Sequence, residues 1–189
     1  MSGRSLRASI NQMEVGTLQE VAGLWSFQYG AGWLGNPRGF ALSPHLPLTA
    51  ESLLDGASKR PVQWYFDNLL PEEGQRILLA GDAKLDAADA FGLLAWYGAE
   101  SAGSVTLLPP EAAPQMAEPL RPLPDDALEA RIRQLPKAPL THAAIKRMSL
   151  AGAQHKLAVV LQDDALFEPA GATPSTHILK PDHPDEDYP

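Results

Sequence analysis

The sequence predicts an α+β protein in two pieces, and three observations carry that prediction. Apolar residues alternate at period two near the start of the chain, and a short apolar run followed by a turn marks a hairpin near its end. Helix start and stop signals fill the middle, and a proline-rich stretch divides the two parts. The first stretch is β: Leu6, Ala8 and Ile10 alternate up to a polar break at Asn11-Gln12, and Val15 to Leu18 can return beside them. Trp25, Phe27 and Tyr29 then alternate with Ser26 and Gln28, which puts three aromatics on one strand face, more a core stripe than a ligand platform. Gly30, Gly32, Gly35, Asn36-Pro37 and Gly39 predict a loop, and Phe40 to Leu48 a further extended segment, making a small curled sheet.

Helices follow. Pro61 suits the first turn of a helix carrying Trp64, Tyr65 and Phe66, and Pro71 can open another that stops at Gly81. Asp86 is the expected N-cap of a helix over Ala87 to Tyr97, with Asp89 near the positive end of its dipole and Gly98 ending it. Gly103 to Leu108 predicts a closing strand. Residues 109–124, PPEAAPQMAEPLRPLP, hold too many prolines for a helix or sheet to run through them and are expected to connect the two parts. Asp125 or Asp126 can cap the next helix, where Leu128, Ile132 and Leu135 form a stripe and Glu129 pairs with Arg133. Leu157 to Leu161, a turn at Asp163-Asp164, and Ala165 to Phe167 form a hairpin. Thr176 to Lys180 forms one more strand.

The composition narrows the function. At 189 residues the chain can bury a real core, and 44% hydrophobic with 20% charged residues is globular rather than disordered. No window has the apolar run that crosses a bilayer, and MSGRSLRASINQ lacks the core of a signal peptide, so a cytoplasmic protein with no membrane partner is expected. The absence of cysteine excludes disulfides, thiol nucleophiles and thiolate metal sites. A net charge of −8 argues against direct binding of nucleic acid, which needs a basic surface, so any DNA contact should run through a basic partner.

Two segments carry chemistry. Met148 to Val159, MSLAGAQHKLAV, sets small residues Ala151, Gly152 and Ala153 before a strand, where backbone N–H groups could approach a phosphate. Lys180 ends an apolar strand, as a phosphate-binding lysine does in a kinase N-lobe. On residue types alone, a plain tight turn and a surface lysine are the commoner explanations. His45, His142, His155, His177 and His183 show no metal-ligand spacing, and Asp182, Asp185, Glu186 and Asp187 lack the pattern of a calcium loop, so no metal site is expected.

Four blocks, WYFDNLLPEEGQR (64–76), FGLLAWYGAESAGSVTLLP (91–109), MSLAGAQHKLAV (148–159) and PAGATPSTHILKP (169–181), stand in the order and spacing of one family. Together they resemble the HipA family of bacterial serine/threonine kinase toxins, over essentially the whole chain, with FDNLLP and PSTHILK the most specific parts. The resemblance implies a small β-barrel-like N-terminal subdomain with helices over 1–108, a linker over 109–124, and the β-rich start of a kinase-like nucleotide-binding lobe over 125–189. It further implies ATP and Mg2+ as cofactors of the whole kinase, with a nucleotide loop at Leu150, Ala151, Gly152, Ala153 and Gln154, a nucleotide-contacting Lys180, and autophosphorylation at Ser149. The implied partners are a HipB-like helix-turn-helix antitoxin, DNA only through that antitoxin, and an aminoacyl-tRNA synthetase as protein substrate, in a role linked to persistence. The family's catalytic aspartate and magnesium ligands belong to a helical C-terminal lobe. No catalytic residue is therefore expected in this chain, which is predicted to be inactive alone. The alternative is a stand-alone interaction module that docks an antitoxin or a separate kinase subunit.

Overall fold

A computed structural model describes residues 3–100, 105–113, 118–133, 156–170 and 173–182. The chain opens with β1 (Arg4–Ile10), β2 (Met13–Val21) and β3 (Leu24–Tyr29), an antiparallel meander. Asn11 and Gln12 both take left-handed φ, 48° and 66°, as a two-residue type I′ hairpin turn requires. Leu6, Ala8, Ile10, Leu18, Trp25, Phe27 and Tyr29 all point to one buried face, so the alternation in the sequence reports the side that packs. A register shift between Ala8 and Ser9 inserts Val15 as an extra buried residue, and such a bulge bends and twists the sheet. Gly16 lies close against the backbone of β3: a Cβ there would lie 2.2 Å from the Gln28 carbonyl oxygen.

After β3 the glycine-rich loop holds a short helix, α1 (Ala31–Leu34), which buries Trp33. Phe40 to Leu48 is not a strand. It contributes one isolated bridge, Ser43 to Leu46, and is held from outside. The Tyr29 hydroxyl donates to the Leu46 carbonyl at 2.6 Å and accepts from the Leu42 N–H at 2.8 Å, while the Trp33 indole donates to the Phe40 carbonyl at 3.0 Å. β4 (Leu53–Leu54) adds an edge beside β3.

Pro61 opens α2 (Pro61–Asp67) as expected, and the buried carboxylate of Asp55 caps it by accepting from the N–H groups of Val62 and Gln63, both at 2.9 Å. α3 (Glu73–Ala83) runs through Gly81 and ends at Lys84, whose left-handed φ of 55° makes the stop that glycine was expected to make. α4 (Ala90–Tyr97) is capped by Asp89, which accepts from the Gly92 N–H at 3.0 Å. Asp86, the expected cap, instead accepts from Ala88 in the preceding turn. Beyond Gly98 the chain makes one 3-10 turn, and β5 (Val105–Leu108) pairs with β1.

The sheet order is β4-β3-β2-β1-β5. Its antiparallel, helix-backed form agrees with the α+β reading, but the barrel does not close: β4 and β5 stand at opposite edges. Helices α2 to α4 cover the inner face, where Phe27 meets Phe66 at 5.4 Å and Trp25 meets Phe91 edge-on at 5.2 Å.

Arg7 straps the chain that leaves β5, donating to the carbonyls of Pro110 at 3.1 Å and Ala112 at 2.6 Å. The proline-rich stretch was expected to exclude sheet, yet it includes β6 (Arg121–Pro122). Proline is tolerated there because β6 is an edge. Then come α5 (Asp125–Arg133), β7 (Leu157–Gln162), β8 (Ala165–Glu168) and β9 (His177–Leu179), in the sheet order β6-β8-β7-β9. Asp125 and Asp126 lie within the first turn of α5, near its positive end. Asp163 and Asp164 form the expected hairpin turn, both with left-handed φ. A separate core of Leu123, Leu157 and Val159 packs against Ala127 and Leu128 of α5, and an ion pair from Arg131 to Glu168 holds the helix to β8. The expected Glu129–Arg133 pair forms. Leu135 lies outside the described residues.

Candidate functional site

The pairing of β7 with β9 determines what these strands display. Leu157 faces Leu179, Ala158 faces Ile178 and Val159 faces His177. Leu157, Leu179 and Val159 belong to the core under α5, so Ala158, Ile178 and Val160 fall on the opposite face. One step beyond the last pair, the same register sets Lys156 opposite Lys180. Two lysines thus stand at neighbouring backbone positions at one end of the ladder, an arrangement that like-charge repulsion disfavours unless an anion answers it.

The electrostatics agree with that placement. Burial lowers the pKa of Lys156, the positive charge of Lys180 lowers it further, and the carboxylate of Glu72 opposes both. Lys180 is exposed and also borders an open hollow of about 200 Å3 lined by Leu128, Ile132, Leu157, Leu179 and Pro181. Two fixed cations on adjoining strands suit the oxygens of a phosphate group. No cluster of carboxylates or histidines able to hold a metal ion gathers among the described residues.

Of the site residues expected from sequence, Lys180 alone is described. Ser149 and Leu150 to Gln154 lie outside the described residues. Lys156 was not singled out. Its signal was present, a lysine directly after the small-residue loop and before an apolar strand, but its meaning depends on a pairing between non-consecutive strands. The FDNLLP block has a structural role: Phe66, Leu70 and Pro71 are buried, and the Asp67 carboxylate accepts from Arg76 at 2.7 Å while Arg76 also donates to the Ala87 carbonyl. His177 contacts its neighbour, with Nδ1 2.8 Å from the Thr176 hydroxyl.

The fold and this strand face define an α+β protein whose second sheet presents paired lysines. Comparison with known proteins then gives the family. The family model described as HipA N-terminal domain matches residues 6–108, over half of the chain, and the protein belongs to the HipA family. It is 39% identical over 169 residues to Y4mE of Sinorhizobium fredii, a protein named as a kinase, covering 86% of this chain and 39% of that one. It is 27% identical over 180 residues to the serine/threonine-protein kinase toxin HipA of Shewanella oneidensis, covering 93% of this chain and 40% of that one. The chain thus spans about two fifths of the length of these relatives. A solved structure of HipA from Shewanella oneidensis MR-1, in a complex of HipA, HipB and operator DNA, shares the fold with a TM-score of 0.66 and 24% identity. That match covers 96% of this chain and 41% of the other.

Proposed function

We propose that this chain supplies the N-terminal part of a HipA-type serine/threonine kinase toxin and, within it, half of the ATP site. The observation that carries the reading is the juxtaposition of Lys156 and Lys180 at the end of the β7–β9 ladder. In this reading the two lysines hold ATP phosphates together with the backbone of Leu150 to Gln154, and Ser149 is the autophosphorylation site. Phosphorylation there would place new negative charge inside the phosphate loop and silence the kinase. Mg2+, arriving with the nucleotide, would supply positive charge that offsets what develops during transfer. The magnesium ligands and catalytic aspartate come from outside this chain, so the chain alone transfers no phosphate. A HipB-like antitoxin is the proposed protein partner, with DNA reached only through it; the net charge of −8 favours that indirect route. An aminoacyl-tRNA synthetase is the proposed substrate, persistence the proposed cellular role and the cytoplasm the proposed location. No described helix is long and apolar enough to cross a membrane.

Isothermal titration of magnesium-ATP into the chain tests the reading. Binding should weaken about tenfold in Lys180→Ala and in Lys156→Ala, the loss of one charge-assisted phosphate contact in each. An absence of heat with the unmodified chain, or variants that bind as tightly as the unmodified chain, would overturn it.

A further inference from the structure

β9 leads directly into Lys180, yet burial does little to fix it in place. The strand has three residues and stands at the edge of its sheet beyond β7. His177 and Ile178 are exposed, and Leu179 is partly buried. A strand with little buried on either face has a weakly specified register, and a slip of one residue turns every side chain to the opposite face. For Lys180 such a slip would end its placement opposite Lys156. The register therefore depends on contacts other than burial, and they gather at Thr176.

Thr176 grips β7 at the point where the chain enters β9. Its N–H donates to the Val159 carbonyl at 2.9 Å, although the Cα partner of Val159 is His177. Two consecutive residues thus address one residue of β7, the two-against-one arrangement of a β-bulge, which ends a pairing and re-aims the side chains beside it. The Thr176 hydroxyl accepts from the Leu161 N–H at 2.9 Å, and Oγ1 lies 2.8 Å from His177 Nδ1. Main chain and side chain of one residue therefore hold β7 at two points, and a slip in either direction would break both bonds. We propose that Thr176 is a positioning residue whose hydroxyl pins β9 in the register that sets Lys180 opposite Lys156. The inference rests on the reading of that lysine pair as a phosphate site and names what keeps the pair in place.

Inorganic triphosphate, which has the phosphates of ATP without its base, is the probe. Its affinity is measured for the unmodified chain, Thr176→Val, Thr176→Ser, Lys180→Ala and the double variant Thr176→Val with Lys180→Ala. Valine keeps the branched shape and strand preference of threonine without the hydroxyl, whereas serine keeps the hydroxyl. Thr176→Val should bind about two- to tenfold more weakly, the equivalent of one net hydrogen bond, and Thr176→Ser should bind as the unmodified chain does. The loss should vanish where Lys180 is already Ala. Amide exchange across His177–Leu179, measured without ligand, should quicken in Thr176→Val and not in Thr176→Ser. Full affinity in Thr176→Val, a Thr176→Ser as weak as Thr176→Val, or an equal loss in the Lys180→Ala background would overturn the positioning role while leaving the phosphate site standing. Absence of triphosphate binding by the unmodified chain would overturn the phosphate reading itself, and the register pin would then stand or fall on the amide exchange alone.

Discussion

The two sheets of this protein are built from the same alternating strands but are stabilised differently. The five-stranded sheet turns Leu6, Leu18, Trp25 and Phe27 into a core roofed by α2, α3 and α4, which add Phe66, Leu79, Phe91 and Leu94. In the four-stranded sheet the described core is Leu123, Leu157 and Val159 under the single helix α5, and Ile178 on the other face is 55% exposed. The first sheet has its hydrophobic face covered by its own helices. The second buries Val160 on its other face but leaves Ile178 there exposed, beside two lysines. Burial specifies a fold, whereas an open face with fixed charges specifies a ligand.

That contrast can be broken by substitution. Phe66→Ala should cost about 3–5 kcal/mol, because it removes a fully buried ring from a close-packed core. Leu157→Ala should cost less, toward the lower end of about 2–5 kcal/mol, since its core is thinner. Urea unfolding followed by tryptophan fluorescence for the first layer and by hydrogen exchange for the second ranks them, and a larger loss for Leu157→Ala would contradict the comparison. Gly16→Ala should cost about 1–3 kcal/mol by forcing β2 and β3 apart, read as a lowered melting temperature with the second sheet's exchange unchanged.

The smallest effect concerns Tyr97. Its hydroxyl donates to the Leu79 carbonyl at 3.0 Å and lies 3.1 Å from an Asp82 carboxylate oxygen. Burial, and then Asp82, raise its pKa above the ordinary tyrosine value, so the fold favours the neutral hydroxyl. Its contribution is fully present below about pH 10 and is lost as pH rises beyond that value. Tyr97→Phe should cost about 1 kcal/mol at neutral pH and flatten the alkaline fall in stability. A pH series of melting temperatures with the same alkaline slope in both proteins would remove this assignment.

What was legible in the sequence was local. Period-two alternation located β1 and β3 with their buried faces, Val15 to Leu18 marked the middle of β2, and Asp163-Asp164 marked a turn that forces the next strand back. Pro61 marked the start of α2. What was missed depended on distant partners. Phe40 to Leu48 has the composition of a strand, but the Tyr29 hydroxyl and Trp33 indole hold it as a loop. Asp86 and Asp89 both precede α4, and the capping geometry selects Asp89. There a Cβ on Gly92 would lie 2.3 Å from the capping carboxylate, a constraint the sequence does not display. Lys156 gains meaning when β9 is laid against β7, a pairing across an intervening hairpin.

The most direct test is hydrogen exchange of the chain with and without magnesium-ATP. The account predicts added protection in Leu157–Gln162 and His177–Leu179, the strands that carry the lysine pair, with β1, β2 and β3 unchanged. Protection confined to β1, β2 and β3, or no change in β7 and β9 at saturating nucleotide, would contradict it.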